Sequence, residues 1–110
     1  MPFASTFVQD ARTIDYTPGS AVAAGDVILL QKMLGVAAID IAANALGALM
    51  VIGVHSIAKV TGETWTTGQI LYWDNSVKKL TTTVGSNVAC AKAWADQLSG
   101  DTSGLAKINV

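Results

Sequence analysis

The chain has one histidine, His55, and one cysteine, Cys90, which are the side chains best suited to acid–base or nucleophilic chemistry. One imidazole and one thiol permit a single Cys–His pairing, and they exclude an HExxH motif, an internal disulfide and a multi-cysteine zinc site. The acids nearest to His55 in the sequence are Asp40 and Glu63, so no close neighbour would orient the imidazole. Lys92 could lower the pKa of Cys90, but a lone cysteine is more often a buried core thiol. We therefore predict a histidine with a structural role or at the rim of an interface, an inert thiol, and no catalytic residue, metal site or cofactor.

Residues 62–69, Gly-Glu-Thr-Trp-Thr-Thr-Gly-Gln, are the best candidate for a phosphate-binding loop. They lack the Gly-Lys-Ser/Thr ending, whose lysine reaches the β- and γ-phosphates and whose hydroxyl holds Mg²⁺. The segment instead predicts two turns that flank Trp65. Residues 74–76, Asp-Asn-Ser, also predict a turn, because Asp and Asn form turns through local backbone hydrogen bonds.

The three tryptophans could stack on a small ligand or a glycan, or they could anchor the core or a subunit contact. We favour the core or a subunit contact, since aromatic residues are enriched in both. The residues that we select as interface candidates are Phe3, Phe7, His55, Trp65, Trp73 and Trp94.

The composition is that of one apolar domain. The chain has 110 residues, of which 51% are hydrophobic and 14% charged, whereas about 25% is usual for charged residues. A net charge of −1 excludes a broad basic surface for nucleic acid. So few charges on so short a chain predict that a partner covers part of the surface, in a homo-oligomer or a docked complex.

We expect neither a membrane span nor a signal peptide. Residues 33–54 are about long enough to cross a bilayer. However, Asp40 and Asn44 lie near their middle, and three glycines divide the run into pieces of strand length. The first seven residues have no positive charge ahead of a continuous apolar stretch.

Turn signals recur along the chain and separate short runs rich in Val, Ile, Leu, Thr and aromatic residues, which predicts an all-β, mainly antiparallel fold. We predict a compact β-barrel or β-sandwich of about seven or eight short strands. The predicted strands cover residues 7–16, 27–31, 34–39, 49–57, 69–73, 79–83, 88–94 and 105–110. One short helix is possible within residues 39–50 or 94–98, because alanine favours helix. Residues 1–16 would form an extended N-terminal arm or first strand, and residues 17–110 a single β domain.

Three of these runs predict which side chains of a strand are buried and which are exposed. Residues 105–110 alternate, with Ala106, Ile108 and Val110 on one face and Lys107 and Asn109 on the other. Residues 89, 91, 93 and 95 are all alanine, which would give one strand a face that another sheet or subunit can approach closely. The run Leu-Met-Val-Ile at residues 49–52 does not alternate, so we expect it to be buried on both faces.

The order of short motifs resembles that of a family of small tailed-phage and prophage proteins, the capsid cement or decoration proteins. This family was formerly a domain of unknown function, loosely labelled as RecA/RadA recombinase-like. The resemblance covers about residues 7–110 and rests on motifs at residues 17–20, 22–27, 34–37, 40–44, 47–49, 53–55, 59–62, 65, 68, 71–74 and 85–87. Two positions depart from it: Asn44 replaces an expected glycine, and His55 replaces a more usual aromatic residue. Asparagine tolerates the same left-handed backbone as glycine.

The resemblance implies a β-rich, non-enzymatic virion protein on the capsid surface, often a trimer, made in the bacterial host cytoplasm. Its partners would be the major capsid protein and further copies of itself, without nucleic acid or membrane. The recombinase label does not fit, since the chain has no phosphate loop or Walker lysine. The alternatives are a small ligand- or glycan-binding β module that uses exposed tryptophans, and another virion component of the tail or head fibre.

Overall fold

The structure, a computed structural model, describes residues 11–109, which form nine β-strands and no helix. The strands are β1 Thr13–Tyr16, β2 Val27–Leu30, β3 Met33–Ala37, β4 Gly47–Met50, β5 Val54–Ala58, β6 Ile70–Asp74, β7 Lys79–Thr81, β8 Val88–Ala93 and β9 Ser103–Ile108. Every pairing between these strands is antiparallel. The predicted all-β fold is confirmed, although the predicted seven or eight strands were too few.

The strands form two sheets that pack as a sandwich. One sheet has four strands in the order β1-β4-β3-β2, and the other has five in the order β5-β9-β8-β6-β7. A parallel bridge between Lys59 and Leu80 brings the chain just after β5 beside β7, and the Val60 N–H donates to the Leu80 carbonyl at 3.0 Å. The five-stranded sheet is therefore strongly curled, but it does not close into a barrel.

The predicted strand at residues 49–57 is two strands that belong to different sheets. Gly53 separates them with a φ of 106°, a conformation that costs glycine little. Leu49 and Val51 are buried as expected, but Ile52 is exposed at this corner. The chain thus crosses from the four-stranded sheet to the five-stranded sheet at Gly53.

The predicted short helix does not form in either alanine-rich segment. Ile41 bridges to Val22, and residues 47–50 pair as β4, so strand pairing outweighs the helix propensity of alanine. Asn44 has a φ of 62°, the left-handed backbone that the sequence predicted for it. In residues 94–98, the bridge between Trp65 and Gln97 extends the chain in the same way.

The main core lies between the two sheets. Leu34 and Val36 of β3 point into it from the four-stranded sheet, where they meet Leu71, Trp73 and the other inward side chains of the five-stranded sheet. A second cluster lies on the opposite face of the four-stranded sheet and contains Val22, Ala37, Ile41 and Leu49. The four-stranded sheet is therefore apolar on both faces, whereas the five-stranded sheet has one face turned away from the core.

A β-bulge in β8 breaks the predicted all-alanine face. Tyr72 of β6 pairs with Ala89 and Leu71 pairs with Ala91, so Cys90 is an extra residue in the ladder. Cys90 and Ala91 are both buried, and Ala89 is exposed. The alternation is clean in β9, where Gly104, Ala106 and Ile108 are buried and the residues between them are exposed.

Asn109 ties the end of β9 to the four-stranded sheet. Its side-chain Nδ2 donates to the carbonyls of Leu34 (2.7 Å) and Val51 (2.6 Å), and its Oδ1 accepts from the Leu34 N–H at 2.7 Å. Its backbone N–H donates to the Cys90 carbonyl at 2.6 Å. One residue thus links β9 and β8 of one sheet to β3 and the end of β4 in the other.

Candidate functional site

His55 and Cys90 do not form a dyad. His55 lies on β5 and Cys90 on β8, with β9 between them, which puts their strands about 9–10 Å apart. The half-buried His55 ring places Nε2 at 3.1 Å from the Ile52 carbonyl, a bond that fixes a structural histidine at the β4–β5 corner. Burial raises the pKa of the Cys90 thiol to about 11, despite a hydrogen bond with the Trp73 backbone that lowers it. Lys92 points to the other face of the sheet, so Cys90 is a protonated core thiol.

The carboxylates hold loops together. Asp74 accepts the hydroxyl and the N–H of Ser76, and Asp96 accepts the N–H and hydroxyl of Thr67; these hydrogen bonds lower the pKa of both carboxyl groups. Burial raises the pKa of Glu63, but hydrogen bonds from the backbone of Thr82 and from threonine hydroxyls outweigh it and hold that pKa below its ordinary value. Across residues 11–109, no three His, Cys, Asp or Glu side chains cluster as metal ligands.

The glycine-rich segment at residues 62–69 forms two turns around Trp65, as the sequence predicts. Gly62 and Gly68 both have a φ of 87°. The backbone N–H groups of Gly62, Trp65 and Gly68 donate to the carbonyls of Ser99, Gln97 and Ala93. These donors are therefore used within the fold and do not converge on a phosphate site.

The three tryptophans lie in different environments, so they do not form the ligand-stacking platform that was the alternative to a core or subunit contact. Trp65 and Trp73 are each only 2% exposed, because they fill the core inside the curled sheet. Trp65 packs directly over Gly104 of β9, where a Cβ would lie 2.5 Å from its ring. Both residues are therefore core anchors, which is one of the two roles that the sequence favoured for them. Trp94 is 56% exposed and remains a candidate interface residue. Phe3 and Phe7 lie outside the described residues.

The surface around Trp94 is the outer face of the five-stranded sheet, which we define by its exposed side chains Val54, Ile70, Lys92, Trp94, Leu105 and Lys107. One row across the sheet runs Val54, Lys107, Lys92, Ile70, each residue directly opposite the next. In the neighbouring row, the Trp94 N–H donates to the Leu105 carbonyl at 2.9 Å, so these two side chains stand side by side. Trp94 is the one interface candidate from the sequence that lies on this face; the alternation of residues 105–108 is the sequence signal that could also have revealed Leu105 and Lys107.

No helix in the described part of the chain is long and apolar enough to span a membrane.

Comparison with protein-family models gave one informative result. The model of a family described as phage cement protein matches residues 8–108, which is almost the whole chain. Searches of curated proteins and of solved structures gave no significant match. The family is a structural one, consistent with a histidine, a thiol and carboxylates that the fold uses for packing and loop geometry. The resemblance noted from the sequence is thus confirmed, and this chain belongs to the phage cement protein family.

Proposed function

We propose that this protein binds the outer surface of a phage capsid as a homo-oligomer, a trimer, and stabilises contacts between major capsid protein subunits. The observation that carries the proposal is the family match over residues 8–108. The site geometry supports it, since the functional groups that could transform a substrate serve the fold, while one sheet face exposes a tryptophan and other apolar side chains. The chain would be made in the host cytoplasm and then added to the shell.

The mechanism is physical. A cement protein bridges capsid subunits that otherwise touch little, and each copy adds a modest binding energy. A trimer that engages several sites gains from the effective concentration of its second and third contacts, so its total affinity exceeds that of one copy by orders of magnitude. The assembled shell then resists internal DNA pressure and heat better than the bare shell.

The N-terminal arm is a second element of this proposal. Residues 1–10 lie outside the described residues, and β1 begins at Thr13 and pairs with β4. We propose that the arm adds a strand to the sheet edge of a neighbouring protomer, where main-chain hydrogen bonds would hold it. β2 offers such an edge, beside a groove of about 430 Å³ that lies between it and β5. A chain without residues 1–12 that still fills every capsid site would refute the role of the arm.

The experiment that tests the function has two parts. Light scattering measures the solution mass, which we expect to be three times the chain mass of 11.4 kDa. Co-sedimentation with expanded empty capsids should then show saturable binding and a higher melting temperature of the shell. A monomer that ignores capsids would refute the proposal, and binding to isolated tails instead would favour a tail or head-fibre role.

A further inference from the structure

The outer face of the five-stranded sheet places two positive charges side by side. Lys92 of β8 is the direct cross-strand partner of Lys107 of β9. Like charges directly opposite each other destabilise an antiparallel pair. The flanking residues in the same row, Ile70 and Val54, are apolar and cannot neutralise them. The fold therefore carries an electrostatic cost at the centre of this face that a carboxylate from outside would relieve.

An exposed apolar surface adjoins the lysine pair. Trp94 and Leu105 stand together in the next row, about 7 Å along the strands. Tryptophan is among the residues most enriched in binding hot spots, whereas lysine is depleted from interface cores unless it is paired. This combination fits a partner that brings both apolar side chains and a negative charge.

The acidic side chains within residues 11–109 are poorly placed to supply that charge. Nearly all carboxylates of the described residues accept backbone hydrogen bonds from loop residues of the same chain: Asp26, Asp40, Glu63, Asp74, Asp96 and Asp101. A second copy that presented the same face would set lysine against lysine. Charge complementarity therefore favours a different protein as the occupant.

The geometry points to the outer face of the five-stranded sheet as the surface that docks on the capsid shell, through a segment of the major capsid protein that presents a carboxylate between apolar side chains. This inference rests on the proposed function and adds the face and the chemistry of the partner. The carboxylate accepts hydrogen bonds from the ammonium groups of Lys92 and Lys107, while the apolar side chains cover Trp94 and Leu105. The charged contact makes binding weaker as salt rises.

The test compares binding of variants to expanded empty capsids by co-sedimentation. We expect Trp94→Ser to weaken binding by about tenfold or more, as for a truncated hot spot. The double variant Lys92→Gln with Lys107→Gln should weaken it by about tenfold at low salt and flatten its salt dependence. Matched controls are Ile39→Ser, which replaces a side chain that is 71% exposed, and Lys32→Gln in the turn after β2. Both controls should bind like the wild type.

Each outcome decides between the alternatives. Circular dichroism confirms that every variant is folded; because the lysine variants change exposed groups only, they test the face even if Trp94→Ser does not fold. If the variants of the outer face bind as tightly as the controls, the docking face lies elsewhere and the inference fails. If they dissociate the oligomer in light scattering, the face joins copies of the chain and the inference also fails. If the wild-type protein itself does not bind capsids, that result refutes the proposed function rather than the choice of docking face.

Discussion

Replacing Asn109 by aspartate changes one atom at the joint between the two sheets. The carboxylate keeps an oxygen near the Leu34 N–H, but it substitutes a second oxygen for the Nδ2 donor. That oxygen would face the carbonyls of Leu34 and Val51, which now accept hydrogen bonds at 2.7 and 2.6 Å. The substitution therefore replaces two hydrogen bonds by repulsion and leaves two buried carbonyls without a donor.

The expected loss follows from these bonds. Each net hydrogen bond contributes about 0.5–1.5 kcal/mol, and a buried carbonyl left unpaired adds to the cost. We expect Asn109→Asp to lower the free energy of unfolding by about 3 kcal/mol. With a urea slope of about 1.5 kcal/mol per molar, the midpoint of unfolding would fall by about 2 M.

Urea unfolding followed by tryptophan fluorescence measures this loss. Asn44→Asp is the matched control, because Asn44 is exposed and has nearly the same φ, 62° against 60° at Asn109. The control should change the free energy of unfolding by less than about 0.5 kcal/mol. Equal effects of the two substitutions would refute the view that Asn109 holds the sheets together.

Three further predictions concern the interior and the loops. Gly104→Ala should destabilise the fold by about 1–3 kcal/mol in urea, because its Cβ would lie 2.5 Å from the Trp65 ring, whereas Gly100→Ala, with open space around it, should cost far less. Cys90 should react with a thiol reagent at pH 8 only after unfolding, since burial keeps it protonated; rapid labelling of the native protein would contradict this. The pKa of Glu63 is lower folded than unfolded, so its contribution is complete above the ordinary value of 4.5 and is lost as pH falls through the folded pKa. The stability difference between the wild type and Glu63→Gln should therefore shrink at acid pH in urea titrations, and a difference that grows there would be contrary to the prediction.

Local patterns were enough to predict most strands. The alternation of residues 105–108 predicted β9 and its buried face, because period-two burial is a property of the strand itself. The alanine-rich run predicted β8 as a strand, but not its faces, because the bulge at Cys90 interrupts the alternation. The structure of the continuous apolar run on both sides of Gly53 was harder to predict. Both halves are strands, and only the positive φ of Gly53, which glycine permits but does not require, sends them into different sheets.

The candidate site was predictable only in part, for a similar reason. Three tryptophans look alike in a sequence, yet Trp65 and Trp73 face inward and Trp94 faces outward. The face of the sheet on which Trp94 lies depends on the bulge at Cys90. The local sequence does not reveal this bulge, because the register between β8 and β6 defines it. Phe3, Phe7 and the oligomeric state remain predictions.

The bulge also connects the fold to the proposed docking face. Without it, the strict alternation of β8 would place Cys90, Lys92 and Trp94 on one side, so that a buried thiol would require a buried lysine and a buried tryptophan. The extra residue keeps Cys90 and Ala91 in the core and turns Lys92 and Trp94 outward beside Lys107 and Leu105. A single irregularity in the ladder thus lets one strand complete the core and also supply the charge and the aromatic ring of the outer face. If this face is where the protein meets the shell, then Cys90→Ala, which keeps the bulge and its register, should leave capsid binding unchanged, because Lys92 and Trp94 still face outward. A folded Cys90→Ala variant that no longer co-sediments with capsids would contradict this account.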